Sequence, residues 1–321
     1  MTEDRLTGPR PWHRHYGPGV RSDFHPPATT WNAMMTEAFD RYADTVLIEY
    51  YGKTFTYAGM RALTARAAAA LRARGIGKGD RVALHLPNCP WHPIFFFGAL
   101  AAGAVVTHLS PLDASAEIAH KLQDSGAKLV VSLTPPEFSR RFEDVDLPSE
   151  MVLVQCPDPV SAMGRDCPLT NGAIGVDTFW DGHEAADYDP EPVAPGDMAL
   201  LQYTGGTTGV PKAAVLSHRN LTAAVQMYHE MSADDPASAP GLGTLVYSPL
   251  FHIMGLTVGL LKRTHEGGTL HIRLRFDPEA ALREIEEKRI ASFGGVPTTW
   301  IALLQVPDID KRDLSSLEYV G

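Results

Sequence analysis

The twelve residues Leu201-Gln202-Tyr203-Thr204-Gly205-Gly206-Thr207-Thr208-Gly209-Val210-Pro211-Lys212 constrain this chain more than any other stretch. Three glycines and three threonines lie between two apolar runs and are closed by a proline and a lysine. Glycine tolerates positive φ, so the backbone can curl into a concave loop with its N–H groups pointing inward. Threonine hydroxyls add donors and Lys212 adds a positive charge. The product is a cradle for a polyphosphate. The P-loop of nucleotide triphosphatases does not fit, because Pro211 precedes the lysine and Ala213 follows it, where that motif needs a hydroxyl for Mg²⁺. It also needs a helix directly after the loop. Here Met198–Tyr203 reads as a buried strand, Ala213–Leu216 as a second, and a helix starts only after Ser217, a suitable N-cap. A glycine-rich surface turn is the bland alternative; the density of hydroxyls and the lysine favour a strand–loop–strand clamp.

The rest of the chain alternates between strands and helices. Thr36–Tyr42 reads as a helix, and Val46–Tyr50 with Lys53–Thr56 as a hairpin turning at Tyr51-Gly52. A long alanine-rich helix covers Tyr57–Arg74 and ends at Gly75. Strands at 80–86, 105–106, 127–133 and 150–154 are separated by helices within 91–102 and 116–124. This is the pattern of a largely parallel sheet covered on both faces. From Cys156 to Asp197 the composition turns to Pro, Asp, Gly and Ala, which reads as a long surface excursion and a seam. Past the loop come a helix at 218–231, a Pro/Gly-rich linker at 232–243 and a strand at 244–248. An apolar helix at 256–265 follows. Leu270–Phe276 alternates strictly and reads as a half-exposed strand. Asp277-Pro278-Glu279 starts another helix, and a strand runs into Gly294-Gly295-Val296-Pro297. The expected fold is α/β, with layered, largely parallel sheets flanked by helices. It divides into an irregular arm at 1–30, a first α/β subdomain at 31–197 and a second at 198–321 that carries the phosphate loop.

Tyr203–Lys212, continued by Ala213-Ala214-Val215-Leu216-Ser217-His218-Arg219-Asn220-Leu221, resembles the phosphate-loop signature of the adenylate-forming (acyl-CoA synthetase) superfamily. The variant Leu-Gln-Tyr-Thr-Gly-Gly-Thr-Thr-Gly is most similar to bacterial long-chain fatty-acid–CoA ligases. Ala213 departs from the usual glycine. The resemblance implies ATP-dependent activation of a medium- or long-chain fatty acid through an acyl-adenylate to acyl-CoA, with ATP, Mg²⁺ and coenzyme A as cofactors or co-substrates. It places Thr204, Gly205, Gly206, Thr207, Thr208, Gly209 and Lys212 on the nucleotide phosphates, and Thr204 at the metal. Pro249-Leu250-Phe251-His252-Ile253-Met254-Gly255 resembles the family's P-x-x-H-x-x-G element. By that likeness His252 lies beside the reacting carboxylate and, with Lys212, is catalytic, Gly255 keeps the acyl tunnel open and Leu256 lines its entrance. Gly294, Gly295, Val296 and Pro297 resemble a segment lining the acyl pocket. For His252 the residues alone leave a core histidine at a strand end as the alternative, and for Gly294–Pro297 a turn before a helix.

The likeness covers only the N-terminal portion of a family member. The adenine-side motif, the ribose-holding aspartate, the hinge, the C-terminal lysine and the small C-terminal domain all lie beyond Gly321. The 321-residue chain alone is therefore expected to be catalytically incomplete. Two further readings stay open: an adenylating relative using an aryl or other acid or a carrier-protein acceptor, and a non-catalytic nucleotide- or acyl-binding fragment.

A formal net charge of −10 argues against a nucleic-acid partner, which calls for a basic footprint. The expected partners are small molecules: fatty acid, ATP and CoA. Cys89, Cys156 and Cys167 are too far apart for a C-x-x-C pair and suit a reducing compartment. His13-Arg14-His15 lacks a metal signature. The longest apolar run, Ile94–Val106, is shorter than the ~20 residues a membrane span needs. A cytoplasmic protein with at most peripheral membrane contact is expected. The edge at Leu317–Gly321 invites self-association, in keeping with a homodimer.

Overall fold

Aliphatic and β-branched runs pair into two sheets in this computed structural model, which describes residues 10–17, 19–158, 167–184, 186–204, 209, 211–232 and 235–321. The described strands are β1 (Val46–Tyr50), β2 (Lys53–Thr56), β3 (Arg81–Leu84), β4 (Val105–His108), β5 (Leu129–Leu133), β6 (Val152–Cys156), β7 (Ile174–Gly175), β8 (Met198–Thr204), β9 (Lys212–Ser217), β10 (Gly243–Val246), β11 (Thr269–Ile272), β12 (Ser292–Phe293) and β13 (Tyr319–Val320). One sheet has the order β7-β6-β5-β3-β4-β8-β9, the other β13-β12-β10-β11-β1-β2. Each is parallel except for one antiparallel hairpin at an edge: β8–β9 in the first, β1–β2 in the second. The layered, largely parallel α/β fold expected from the sequence is present.

The sheets do not part the chain at residue 197. β1 and β2 come from before that point but pair into the six-stranded sheet, while β8 and β9 come from after it and pair into the seven-stranded one. Register explains the exchange. β1 lies beside β11 through Ile48↔Leu270 and Glu49↔His271, and β8 lies beside β4 through Val106↔Leu200 and His108↔Gln202.

Helices Tyr57–Ala73 and Trp91–Ala101 contribute heavily to the main core. From His92 to Ala101 every residue of the second is buried, the mark of a helix enclosed on all sides. Close contact between the two relies on Gly98, where an added Cβ would stand 2.6 Å from that of Ala67. The main cluster runs from Trp31 and Phe39 through Phe95, Phe96 and Phe97 to Leu256 and Leu260.

Several expectations change. The first helix starts at Trp31, five residues before the expected Thr36, because Thr30 accepts a bond from the Ala33 N–H and caps it there. The 156–197 stretch is more than a surface excursion. It supplies edge strand β7 and buries Phe179 and Trp180, with Arg74 and Arg66 each 4.4 Å above one of those rings. The stretch Gly255–Lys262 is a π-helix rather than an α-helix, a rare form that is frequent at functional sites. The strand expected at Leu270–Phe276 is shorter and more enclosed: β11 ends at Ile272 and is buried throughout, whereas Leu274 and Phe276 beyond it are half-buried and Arg275 is exposed. The polar residues here meet charged partners from neighbouring elements: His271 in the strand lies 3.1 Å from Glu49, and Arg273 just past it bonds Glu49 and Glu284.

Candidate active site

The glycine- and threonine-rich hairpin expected to bind phosphates joins β8 to β9, and Thr204 and Lys212 face each other as the last register pair. Both are exposed, and the Thr204 hydroxyl stands 3.5 Å from the Lys212 carbonyl oxygen. Gly209 has φ +85°, the left-handed region that favours glycine. Gly205, Gly206, Thr207 and Thr208 lie outside the described residues. Helix Ser115–Ser125 braces both legs of the hairpin. The Tyr203 hydroxyl donates to Asp124 at 2.6 Å and lies 3.2 Å from the Lys121 carbonyl oxygen. On the other leg, His120 Nε2 lies 3.4 Å from the Pro211 carbonyl oxygen. Burial and the neighbouring Asp124 carboxylate push the Tyr203 phenol up, so it stays a donor.

The second part of the site leaves the C-terminal end of β10. His252 is exposed, and its Nδ1 accepts a long 3.4 Å bond from the Met254 N–H. Its segment is held by Asn88, which follows β3 in the other sheet. Asn88 donates to the carbonyls of Tyr247 and Ser248 at 3.2 and 3.0 Å, and accepts from the Leu250 N–H at 2.8 Å. Gly255 is fixed by packing, since an added Cβ would run into the Pro249 carbonyl group. Gly255→Ala is expected to cost about 1–3 kcal/mol, as overpacking does, and to displace the His252 segment. Urea denaturation checks the first effect; unaltered stability would show that the backbone yields freely there. Leu256, expected to line the tunnel entrance, is fully buried in the main cluster rather than on an open wall.

Gly294 and Gly295 follow β12, the parallel neighbour of β10, so they leave the same edge of the sheet as the His252 segment. Open α/β sheets bind ligands outside the carboxyl ends of their strands. The Gly295 N–H donates to the Gly321 carbonyl at 2.7 Å, and Trp300 Nε1 donates to the Gly295 carbonyl at 3.1 Å. Both glycines are half-buried, while Val296 and Pro297 are exposed.

A buried polar chain that sequence reasoning missed joins the hairpin to the His252 segment. Gln202, two residues before Thr204, donates through Nε2 to the Phe251 carbonyl at 3.0 Å. Its Oε1 lies 3.0 Å from His108 Nδ1, and His108 Nε2 lies 3.2 Å from His92 Nε2. Burial pushes the His108 imidazole down to about 4. Burial also holds His92 well below the usual histidine range. Both rings are therefore neutral at pH 7. Asn88 had a faint signal, a polar residue inside an otherwise apolar strand-to-helix turn; the two histidines had none.

The chain belongs to the AMP-binding enzyme family, whose pattern matches residues 35–321. It is 29% identical over 330 residues to a long-chain-fatty-acid–CoA ligase of Bacillus subtilis (strain 168), covering 96% of this chain and 58% of that protein. It is 33% identical over 281 residues to 4-coumarate–CoA ligase 2 of Oryza sativa subsp. japonica, covering 84% of this chain and 48% of that one. Among solved structures, the inhibitor-bound N-terminal domain of FACL13 from Mycobacterium tuberculosis superposes with a TM-score of 0.75 at 27% identity, covering 91% of this chain and 69% of that domain. The chain thus spans about half the length of the curated relatives it matches.

Proposed function

We propose that this chain carries the nucleotide-phosphate and carboxylate-binding part of an ATP-dependent fatty-acid–CoA ligase. The observation that carries this reading is the Gln202 bridge, which ties the phosphate hairpin of one sheet to the His252 segment of the other. A carboxylate is not displaced directly by a thiol, because oxide is a poor leaving group. In the proposed reaction a carboxylate oxygen attacks the α-phosphorus of ATP, the bond to the β-phosphate oxygen breaks, and pyrophosphate leaves. The CoA thiolate then attacks the acyl carbonyl and AMP departs. Charge develops on phosphoryl oxygens, so positioning and electrostatic clamping dominate. Lys212 and the loop would take the departing pyrophosphate, and His252 would orient the carboxylate.

The Thr204 hydroxyl fits a Mg²⁺ ligand: it is an exposed oxygen at a strand end with only a long contact to Lys212. When bound, the ion would neutralise phosphate charge. Gly294–Pro297 would line the acyl pocket. A cytoplasmic location belongs to the same proposal; among the described residues no helix is long and apolar enough to cross a membrane.

ATP–pyrophosphate exchange on the complete gene product, with fatty acids of graded length, tests the reading. Thr204→Ala and Lys212→Ala are each expected to raise the barrier by ~2–4 kcal/mol, the usual effect of losing one contact to developing charge. Undiminished exchange in both variants would remove the assignment. The likeness to 4-coumarate–CoA ligase 2 favours an aryl acid as the second reading, and exchange with hydroxycinnamic acids but not fatty acids would establish it.

A further inference from the structure

We infer that His92, His108 and Gln202 form a one-way hydrogen-bond chain that positions the Phe251 carbonyl, and through it His252, so that one strand sets both ends of the reacting site. The donor directions follow from a single fact: a carbonyl oxygen only accepts. The Gln202 group 3.0 Å from the Phe251 oxygen must therefore be the NH₂. Flipping the amide would set two acceptors against each other. With NH₂ placed there, Gln202 Oε1 faces His108 and accepts from it, so Nδ1 of His108 carries its proton. A neutral His108 then has a bare Nε2, and the His92 Nε2 opposite must carry a proton to donate across 3.2 Å. His92 Nδ1 is left bare, and it is buried without a partner. All three residues are buried, so water does not compete for these bonds.

The consequence concerns His252. The chain ends on the peptide joining Phe251 to His252, while Thr204 lies two residues beyond Gln202 on β8. Strand β8 thereby fixes the spacing between the phosphate clamp and the group proposed to hold the carboxylate. Gln202, His108 and His92 are positioning residues, since none needs to touch substrate. Their effect on catalysis rests on the ligase reading; their effect on His252 does not.

The test uses the complete protein with ¹⁵N-labelled histidines. Long-range ¹H–¹⁵N spectra are expected to show His108 as the Nδ1–H tautomer and His92 as the Nε2–H tautomer. In Gln202→Leu, His108 should lose that preference and the His252 ring resonances should move. His108→Asn, which keeps a donor near the Nδ1 position, should leave His252 close to its wild-type spectrum; His108→Leu should reproduce the Gln202→Leu spectrum. In pyrophosphate exchange, Gln202→Leu should raise KM for the acid by about 5–10-fold, the effect of one hydrogen bond, with KM for ATP unchanged. An Nε2–H tautomer at His108, or His252 resonances identical in wild type and Gln202→Leu, would overturn the inference. Should Gln202→Leu fail to fold, the two His108 variants decide it. If no acid supports exchange even in wild type, the ligase reading fails while the spectra still decide the positioning.

Discussion

Glu49→Ala is expected to destabilise the protein by about 3–5 kcal/mol, the cost of breaking a buried ion pair from one side. Glu49 lies on β1 and is the hub of a charge cluster. Arg273 Nη2 donates to it at 2.5 Å, His271 Nδ1 lies at 3.1 Å, Lys288 Nζ at 3.1 Å, and the Gly52 N–H donates at 2.6 Å. Arg273 is only 1% exposed and is gripped on its other side by Glu284 at 2.6 and 2.5 Å. Without Glu49 the Arg273 guanidinium and the Lys288 ammonium keep only Glu284, while His271 loses its carboxylate. Burial opposes charge on Glu49, but hydrogen bonds from His271, Arg273 and Gly52 overcome it and hold the carboxyl well below the usual carboxylate range. Its contribution is thus complete above the unfolded value of ~4.5 and is lost only as pH falls below it.

Glu49, His271 and Glu284 come within 4.8 Å of one another, a spacing that would suit a cation, yet Arg273 and Lys288 already supply positive charge there. Lys288→Ala should cost under about 1 kcal/mol, because its side chain is 31% exposed. Urea denaturation of the two variants measures the contrast. A Glu49→Ala protein within 1 kcal/mol of wild type would mean that water reaches Arg273.

That cluster also shows what could be read in the sequence and what could not. Local signals were dependable. Tyr51 and Gly52 both take positive φ, 46° and 88°, and the hairpin they turn has the boundaries expected from the sequence. Ser217 caps the helix from His218, and Asp277 caps the one from Pro278, each through a side chain accepting a backbone N–H. The family was legible because the resemblance rests on twelve consecutive residues.

Cross-strand registers were not legible. His271 looked solvent-facing by alternation, but its register partner is Glu49, 222 residues away. His108 faces Gln202 across parallel strands 94 residues apart. Nothing local distinguishes such residues from surface histidines until the strand order is known. The exchange of hairpins across residue 197 was hidden for the same reason, because each sheet recruits one hairpin from the other part of the chain.

Lowering the pH from 7 to 5 is expected to cost several kcal/mol of stability, before most carboxylates titrate. Four histidines have few or no solvent-exposed atoms: His85, His92, His108 and His218. Burial pushes His85 down to about 3, and His108 and His218 to about 4, and holds His92 well below its ordinary value. Each has a ring nitrogen engaged: His85 Nδ1 lies 2.9 Å from Ser132 Oγ, and His218 Nδ1 accepts from the Trp31 N–H at 3.3 Å. The Nε2 atoms of His85 and His218 are buried without partners, so a proton added there would have nothing to bond.

The sign follows from which state binds protons. Unfolded histidines take up protons near pH 6.5, whereas His85, His108 and His218 resist until about pH 4 or below and burial holds His92 well below its ordinary value. Between those limits the unfolded state holds more protons, so stability rises with pH. The contribution is fully present above about 6.5 and drains as pH falls, at roughly 1 kcal/mol per pH unit for each histidine. Four together would draw down most of a typical 5–15 kcal/mol of net stability. Urea midpoints should be level from pH 8 to 7 and drop steeply from 6.5 to 5. His218→Asn, which keeps an acceptor for the Trp31 N–H, should flatten that slope by about a quarter. Equal midpoints at pH 7 and 5 would mean that these rings gain protons without unfolding. Glu49 separates the two causes: its loss acts at neutral pH, whereas the histidines act only once the solution turns acid.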